Sequence, residues 1–170
     1  VFSHRSSINL LGAPKPGKYF ADAMENLKQL KELELGATGY LVEAWGSEVN
    51  INQEELTQLI TEIRGLGIKP MTYMRQMVVN SFLGTENPDI YEQALANELI
   101  PTDEAGLPYT FSMWLAQTSV IDYTNPQAVD WWENRLRDML DLGSEGFMLD
   151  FGEQVRPDMV FHNGETGGSM

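Results

Sequence analysis

Two carboxylates stand at the end of one apolar run. The stretch Gly146-Phe147-Met148-Leu149-Asp150-Phe151-Gly152-Glu153 passes from apolar residues into Asp-x-Gly-Glu, and Gly152 lets backbone or ligand approach closely. Asp122 follows a second apolar run and Glu43 a third. A lone Asp in such a place ordinarily caps the next helix, and an exposed Glu ordinarily only solvates the surface. Acids at several strand ends shift the reading towards chemistry. Converging carboxylates serve two common chemistries. One is cleavage of a glycosidic bond, in which one carboxylate attacks the anomeric carbon and a second, roughly 5–5.5 Å away in retaining enzymes, protonates the leaving oxygen. The other is binding of a divalent metal by hard oxygen ligands. The metal reading usually needs a His or Lys in addition, and the chain has only His4 and His162.

The remaining candidates are weaker. Of four tryptophans, Trp45 and Trp114 fall near strand ends, where an indole can stack on a sugar ring or simply fill a core. Trp132 lies on an apolar helix face and is expected in the core, with Trp131 half-buried beside it. Arg75 follows a strand and could meet a ligand or pair with a neighbouring acid. His162-Asn163-Gly164 could be a ligand-contacting loop or an exposed turn.

These residues need elements to place them. Residues 1–17 are rich in Ser, Gly and Pro and read as an irregular lead-in segment. Phe20, Met24, Leu27 and Leu30 recur at helical spacing, and Gly36 is expected to stop that helix. Strands are then expected at Tyr40–Val42, ending near Glu43, at Met71–Met74, ending near Arg75, at Ser119–Asp122, and at Gly146–Phe151. Helices alternate with them. The first has Asn52 and Glu55 as a capping box and Leu56, Leu59, Ile60 and Ile63 on one face, and it ends at Gly65 and Gly67. A second starts at Asn87-Pro88 and runs to about Leu95. The third starts at Asn125-Pro126, carries Val129, Trp132, Leu136 and Leu140, and stops at Gly143. Residues 101–116 read as a hairpin or loop excursion, and residues 152–170 as a loop or truncated tail.

Strand–helix alternation predicts an α/β fold with a parallel sheet. Polar residues at the strand ends and the lack of a glycine-rich phosphate loop after the first strand favour a partial (β/α)8 TIM barrel over a doubly wound sheet. About four β/α units are expected, where a whole barrel takes roughly 250 residues. The chain therefore reads as the N-terminal part of one (β/α)8 catalytic domain. The Gly36-x-x-Gly39 and Gly164–Gly168 runs are out of place for nucleotide binding.

Composition narrows the partners. With 25 acidic against 11 basic residues the 170-residue chain carries a net charge of −14, which disfavours nucleic acid and anionic membranes. The absence of Cys excludes disulfides, thiolate metal sites and cysteine nucleophiles. No apolar run is long enough to span a bilayer. The chain begins at Val1, which points to processing or excision, so a leader already removed stays open and the expected compartment is cytoplasmic or exported.

The residues carry a family likeness. Val120-Ile121-Asp122-Tyr123-Thr124-Asn125-Pro126, the Trp131-Trp132 pair, the Gly146–Glu153 run and the tail Pro157-Asp158-Met-Val-Phe-His162-Asn163-Gly164 together resemble glycoside hydrolase family 31. Within it the likeness is to the bacterial branch of sulfoquinovosidases and related α-glucosidases. It is specific over residues 98–164, with Asp103–Gly106 fitting in outline, and looser over 38–80. The resemblance implies an eightfold barrel, retention of anomeric configuration, an α-glycoside substrate and no metal or organic cofactor. It places the nucleophile on Asp150, with Glu153 holding that carboxylate. Asp122, Glu43, Trp45, Arg75 and His162 are second-rank candidates, from their places in the chain, for supporting or lining the subsite. The family's acid/base is an Asp on a later strand, beyond this chain, and Asp158 in its loop is no substitute. The Gln, Arg and Trp by which sulfoquinovosidases hold the sulfonate have no counterpart in Gly39-Tyr-Leu-Val-Glu43-Ala-Trp45. An α-glucoside, α-galactoside or α-xyloside is thus at least as good an expectation.

Two rival readings stand beside this one. A metal-dependent barrel enzyme would use Glu43, Asp122, Asp150 and Glu153. A non-catalytic sugar-binding fragment would use the same surface without turnover. Four strands leave open edges, so the remainder of the barrel or a homo-oligomer partner is expected to cover them.

Overall fold

A computed structural model describes residues 2–4, 18–42, 53–82, 85–86, 88–113 and 116–169. The chain begins β1 (Phe2–His4), α1 (Lys18–Glu32), β2 (Gly39–Val42), α2 (Gln53–Gly65) and β3 (Lys69–Arg75). Three short strands follow, β4 (Met77–Val79), β5 (Ser81–Phe82) and β6 (Thr85–Glu86), and then α3 (Pro88–Ala96). The last elements are β7 (Phe111–Met113), β8 (Ala116–Val120), α4 (Pro126–Asp141) and β9 (Phe147–Asp150). Two compact units result: Val1–Met74 with Arg137–Leu149, and Arg75–Leu136 with Asp150–Met170.

The first unit is built on a sheet of order β1-β2-β3-β9. β1 pairs parallel with β2, and β2 parallel with β3. This is the expected parallel sheet, with one exchange of strands. Phe2–His4, inside the segment read as irregular, supplies the first strand, while the Ser119–Asp122 run is absent from this sheet. Three residues amid Gly, Ser and Pro leave too short a pattern to register as a strand.

α2 packs on this unit through Leu56, Leu59, Ile60 and Ile63, all at most 1% exposed, with Glu54 and Glu55 in its first turn facing the positive helix end. α1 buries Ala23, Leu27 and Leu30, whereas Phe20 and Met24 are only half-buried. Tyr40 of β2 is buried, and that burial pushes its phenol up to about 12.

α1 through α4 all end in the same way. The amide after a left-handed residue reaches back five residues, and the left-handed residue's own amide reaches back three. The pairs are Leu35→Leu30 with Glu34→Lys31, and Ile68→Ile63 with Gly67→Arg64. In the later helices they are Leu99→Ala94 with Glu98→Leu95, and Ser144→Met139 with Gly143→Leu140. Gly67 and Gly143 meet expectation. Gly36 does not close α1, because Glu34 takes the left-handed position two residues earlier, with φ of 51°.

The second unit holds an antiparallel sheet of order β4-β8-β7. β7 and β8 form a hairpin in which Met113 faces Ala116, and β8 also pairs with β4. The expected third parallel strand is therefore β8 of an antiparallel sheet. Val120, Met159 and Phe161 form the cluster beneath it, flanked by Tyr109 and Phe111. Residues 152–169 contain no helix or strand, yet Met159 is 0% exposed and Val160 bridges both Thr102 and Thr166. A Cβ on Gly167 would collide with the Arg156 carbonyl oxygen, so only glycine fits where the segment folds back on itself.

α4 is capped by Asn125, whose Oδ1 accepts the Gln127 amide at 2.9 Å, with Pro126 in the first turn as expected. Its buried residues are Ala128, Trp132 and Met139, and Leu140 is 49% exposed, not on the buried face. β9 departs from expectation too. Among the described residues it is the last strand of its sheet, beside β3, and Met148 and Leu149 are 43% and 47% exposed.

Two outcomes follow. Gly143 has φ of 102°, and a Cβ there would lie 3.0 Å from Arg64 Nη1 and 3.2 Å from Ile60 Cγ2, so Gly143→Ala is expected to lose about 1–3 kcal/mol in a urea unfolding curve. The Tyr40 phenol is neutral when protonated, and its folded value lies above the unfolded one near 10. Its contribution is complete below about pH 10 and disappears as pH rises towards 12, by up to ~1.4 kcal/mol per pH unit. Tyr40→Phe should flatten the fall of the unfolding midpoint across that window.

Candidate active site

Asp150 is the last residue of β9, and Arg75 is the last of β3. The chain turns immediately after each. The Gln76 amide donates to the Asp150 carbonyl at 3.1 Å, and the Phe151 amide donates to Asp150 Oδ1 at 3.0 Å. Gly152 lies against Gln76, since a Cβ there would stand 2.7 Å from Gln76 Oε1. Asp150, Arg75 and Gln76 are half-buried, as expected of groups at the rim of a strand end. Glu153 is exposed and accepts from the Gln154 amide at 2.9 Å.

Asp122 does something different. It is 3% exposed, and its carboxylate accepts three hydrogen bonds: from the Thr124 amide at 2.9 Å, the Thr124 hydroxyl at 2.6 Å and the His162 amide at 2.7 Å. Its own amide donates to the Leu99 carbonyl, and the neighbouring Asn125 side chain donates to the Glu98 carbonyl. Asp122 thus joins the end of α3, the start of α4 and the 160s turn. The sequence reading set Asp122 at the end of a strand, and the structure sets it in a turn beyond β8. β8 ends two residues earlier, and Asp122 opens the turn that Asn125 continues into α4.

His162 is exposed, and its main-chain amide makes the contact with Asp122. Asn163 and Gly164 complete a turn in which Asn163 Oδ1 accepts from the Glu165 amide and the Gly164 amide donates to Phe161. Asp122, Asn125 and His162 border a cleft of about 690 Å³ together with Glu98 and Gln127. Asp150, Glu153 and Arg75 are not among its lining residues. Of the candidates, Asp122 and His162 thus share this cleft, while Asp150 and Arg75 stand at the ends of the neighbouring strands β9 and β3. Glu43, Trp45 and Trp114 lie outside the described residues, as do the expected caps Asn52 and Asn87.

Among the described residues no three of His, Asp and Glu converge as a metal site, which leaves the divalent-metal reading without a ligand set among them. Asp158 is engaged elsewhere. It accepts from the Tyr109 hydroxyl at 2.7 Å, a bond that raises the phenol's pKa. Sequence reasoning missed Gln76 and Phe151. Gln76 carries no chemical signature, and the only pointer to Phe151 was the glycine that follows it.

The family model described as the glycosyl hydrolases family 31 TIM-barrel domain matches residues 37–168. The α-xylosidase XylQ of Lactiplantibacillus pentosus is 30% identical over 109 residues, which are 64% of this chain and 14% of that protein. The sulfoquinovosidase of Escherichia coli K12 is 29% identical over 127 residues, 74% of this chain and 17% of that protein. The chain thus spans under a fifth of the length of these relatives. A sulfoquinovosidase of this family from E. rectale, solved with an aza-sugar inhibitor, superposes with a TM-score of 0.69 at 22% identity, over 85% of this chain and 23% of its own. That likeness is one of fold.

Removing the three-bond acceptor should show in stability. Asp122→Ala is expected to lose about 1–3 kcal/mol in chemical denaturation, because three part-buried donors lose their acceptor. A loss under about 0.5 kcal/mol would remove the structural role given to those three bonds.

Proposed function

The chain belongs to glycosyl hydrolase family 31, and from that premise we propose that it carries the nucleophile half of a retaining α-glycosidase site. The substrate is an α-glycoside, and Asp150 is the nucleophile. One Asp150 oxygen attacks the anomeric carbon as the bond to the leaving oxygen breaks, giving a covalent glycosyl-enzyme. Water then attacks the same carbon and releases the carboxylate, so two inversions give net retention. The proton for the leaving group comes from an acid/base on a later strand of the barrel, outside this chain.

One observation carries the reading. The Asp-Phe-Gly-Glu run falls inside the family match, and Asp150 ends a strand of a parallel sheet, which is where barrel enzymes place their catalytic groups. The main-chain bond to Oδ1 supports it, since a nucleophile must be held in line with the bond it attacks. Arg75, one strand away, and the exposed Glu153 are the supporting polar groups of the same rim. Relatives named as α-xylosidase, sulfoquinovosidase and lysosomal α-glucosidase differ in the sugar they are named for, and two of the three names carry the α linkage.

The test uses the full-length protein that contains this chain. An α-configured mechanism-based inactivator should add one glycosyl unit to a peptide containing Asp150, as read by mass spectrometry. Asp150→Asn should lower turnover by at least ~10³-fold while the circular dichroism spectrum stays that of the parent. Retained turnover, or an adduct on another carboxylate, sinks the assignment.

A further inference from the structure

Among the described residues three non-glycines have left-handed backbone: Glu34 at φ 51°, Glu98 at 54° and Phe151 at 63°. Glu34 and Glu98 each close a helix, where the left-handed turn satisfies otherwise open carbonyls. Phe151 closes no helix. It follows a strand, and a bulky residue in this region is held there by its surroundings, a form of strain that gathers at functional sites.

The hydrogen bonds show what is being held. The carbonyl of Asp150 and the amide of Phe151 belong to one planar peptide unit. The Gln76 amide grips the carbonyl end of that plane at 3.1 Å, and the amide end grips Asp150 Oδ1 at 3.0 Å. The plane is pinned at both ends, so the carboxylate is fixed relative to the Gln76 main chain. The following chain must then leave at an angle set by rotation about the Phe151 N–Cα bond, and the left-handed φ supplies that angle. Gly152 comes next, with the Gln76 side chain lying directly over it. Fixing Oδ1 fixes the plane of the carboxylate, and with it the line along which the other oxygen approaches an electrophile.

We propose that Phe151 is a positioning residue, whose left-handed backbone keeps the Asp150–Phe151 peptide locked between Gln76 and the Asp150 carboxylate. The proposal rests on Asp150 being the nucleophile. It assigns the role to the backbone at 151, not to the aromatic ring. Substitutions should therefore rank by tolerance of positive φ: Gly and Asn accept it, Ala resists it and Val resists it most.

The experiment compares Phe151→Gly, Phe151→Asn, Phe151→Ala and Phe151→Val in the full-length protein, all of which lack the ring. The readout is the first-order rate of covalent labelling of Asp150 by an α-configured mechanism-based inactivator, with its binding constant measured separately. Gly and Asn should label within about threefold of each other. Ala and Val should be about tenfold slower or worse, with the binding constant little changed. Ala preserves the contrast if the Val variant does not fold. Equal rates in all four variants, or slowing that tracks side-chain size, would overturn the backbone role and leave the nucleophile standing. A parent protein labelled on some other residue would instead remove the nucleophile reading, and this inference with it.

Discussion

A helix that hands its chain to a parallel strand must stop within a few residues and reverse, and the left-handed residue at its end makes that possible. α1, α2 and α4 use this device ahead of strands of the first sheet, and α3 uses it ahead of the antiparallel β7, each with a pair of bonds that satisfies carbonyls the helix itself leaves open. The spacing from the left-handed residue to the next strand is short after α2, where β3 begins two residues beyond Gly67. With the reversal placed there, the Leu56–Ile63 face of α2 is delivered onto its unit's core and β3 starts in register with β2. Sheet, helix face and strand end follow from where the turn is made.

Much of this was legible because the signals were local. Asn125-Pro126 announces a cap and a first turn, and Gly67 and Gly143 announce ends, because in each the side chain alone decides the backbone's options. Legibility failed where a partner decides. Ser119 and Val120 have the composition of a parallel strand, yet β8 pairs antiparallel with β4 and β7, and nothing in an apolar run names the strand that will lie beside it. Gly36 looked like a stop because glycine is the usual occupant, and Glu34 took the position instead.

The site divides along the same line. Asp150 was readable as the acid of a rim because the strand before it is clear. Asp122 was equally acidic and equally placed after an apolar run, but its three donors come from Thr124 and His162, and the His162 contact is separated by forty residues of chain. Those three bonds tie separate turns of its unit together. Which donors meet Asp122 is decided by tertiary contact, which composition does not carry. Gln76 and Phe151 act through main-chain atoms that every residue owns, so no side-chain pattern could have pointed to them.

Glu34 and Glu98 have a consequence for the history of the chain. Each puts a β-carbon where glycine would relax, and each sets a negative charge at the negative end of a helix. Neither cost is large, and a fold can carry both as long as total stability stays above what its host requires. These two positions are therefore where neutral drift has room: lineages under thermal selection should exchange these glutamates for glycine or asparagine before they touch the cores of α1 and α3.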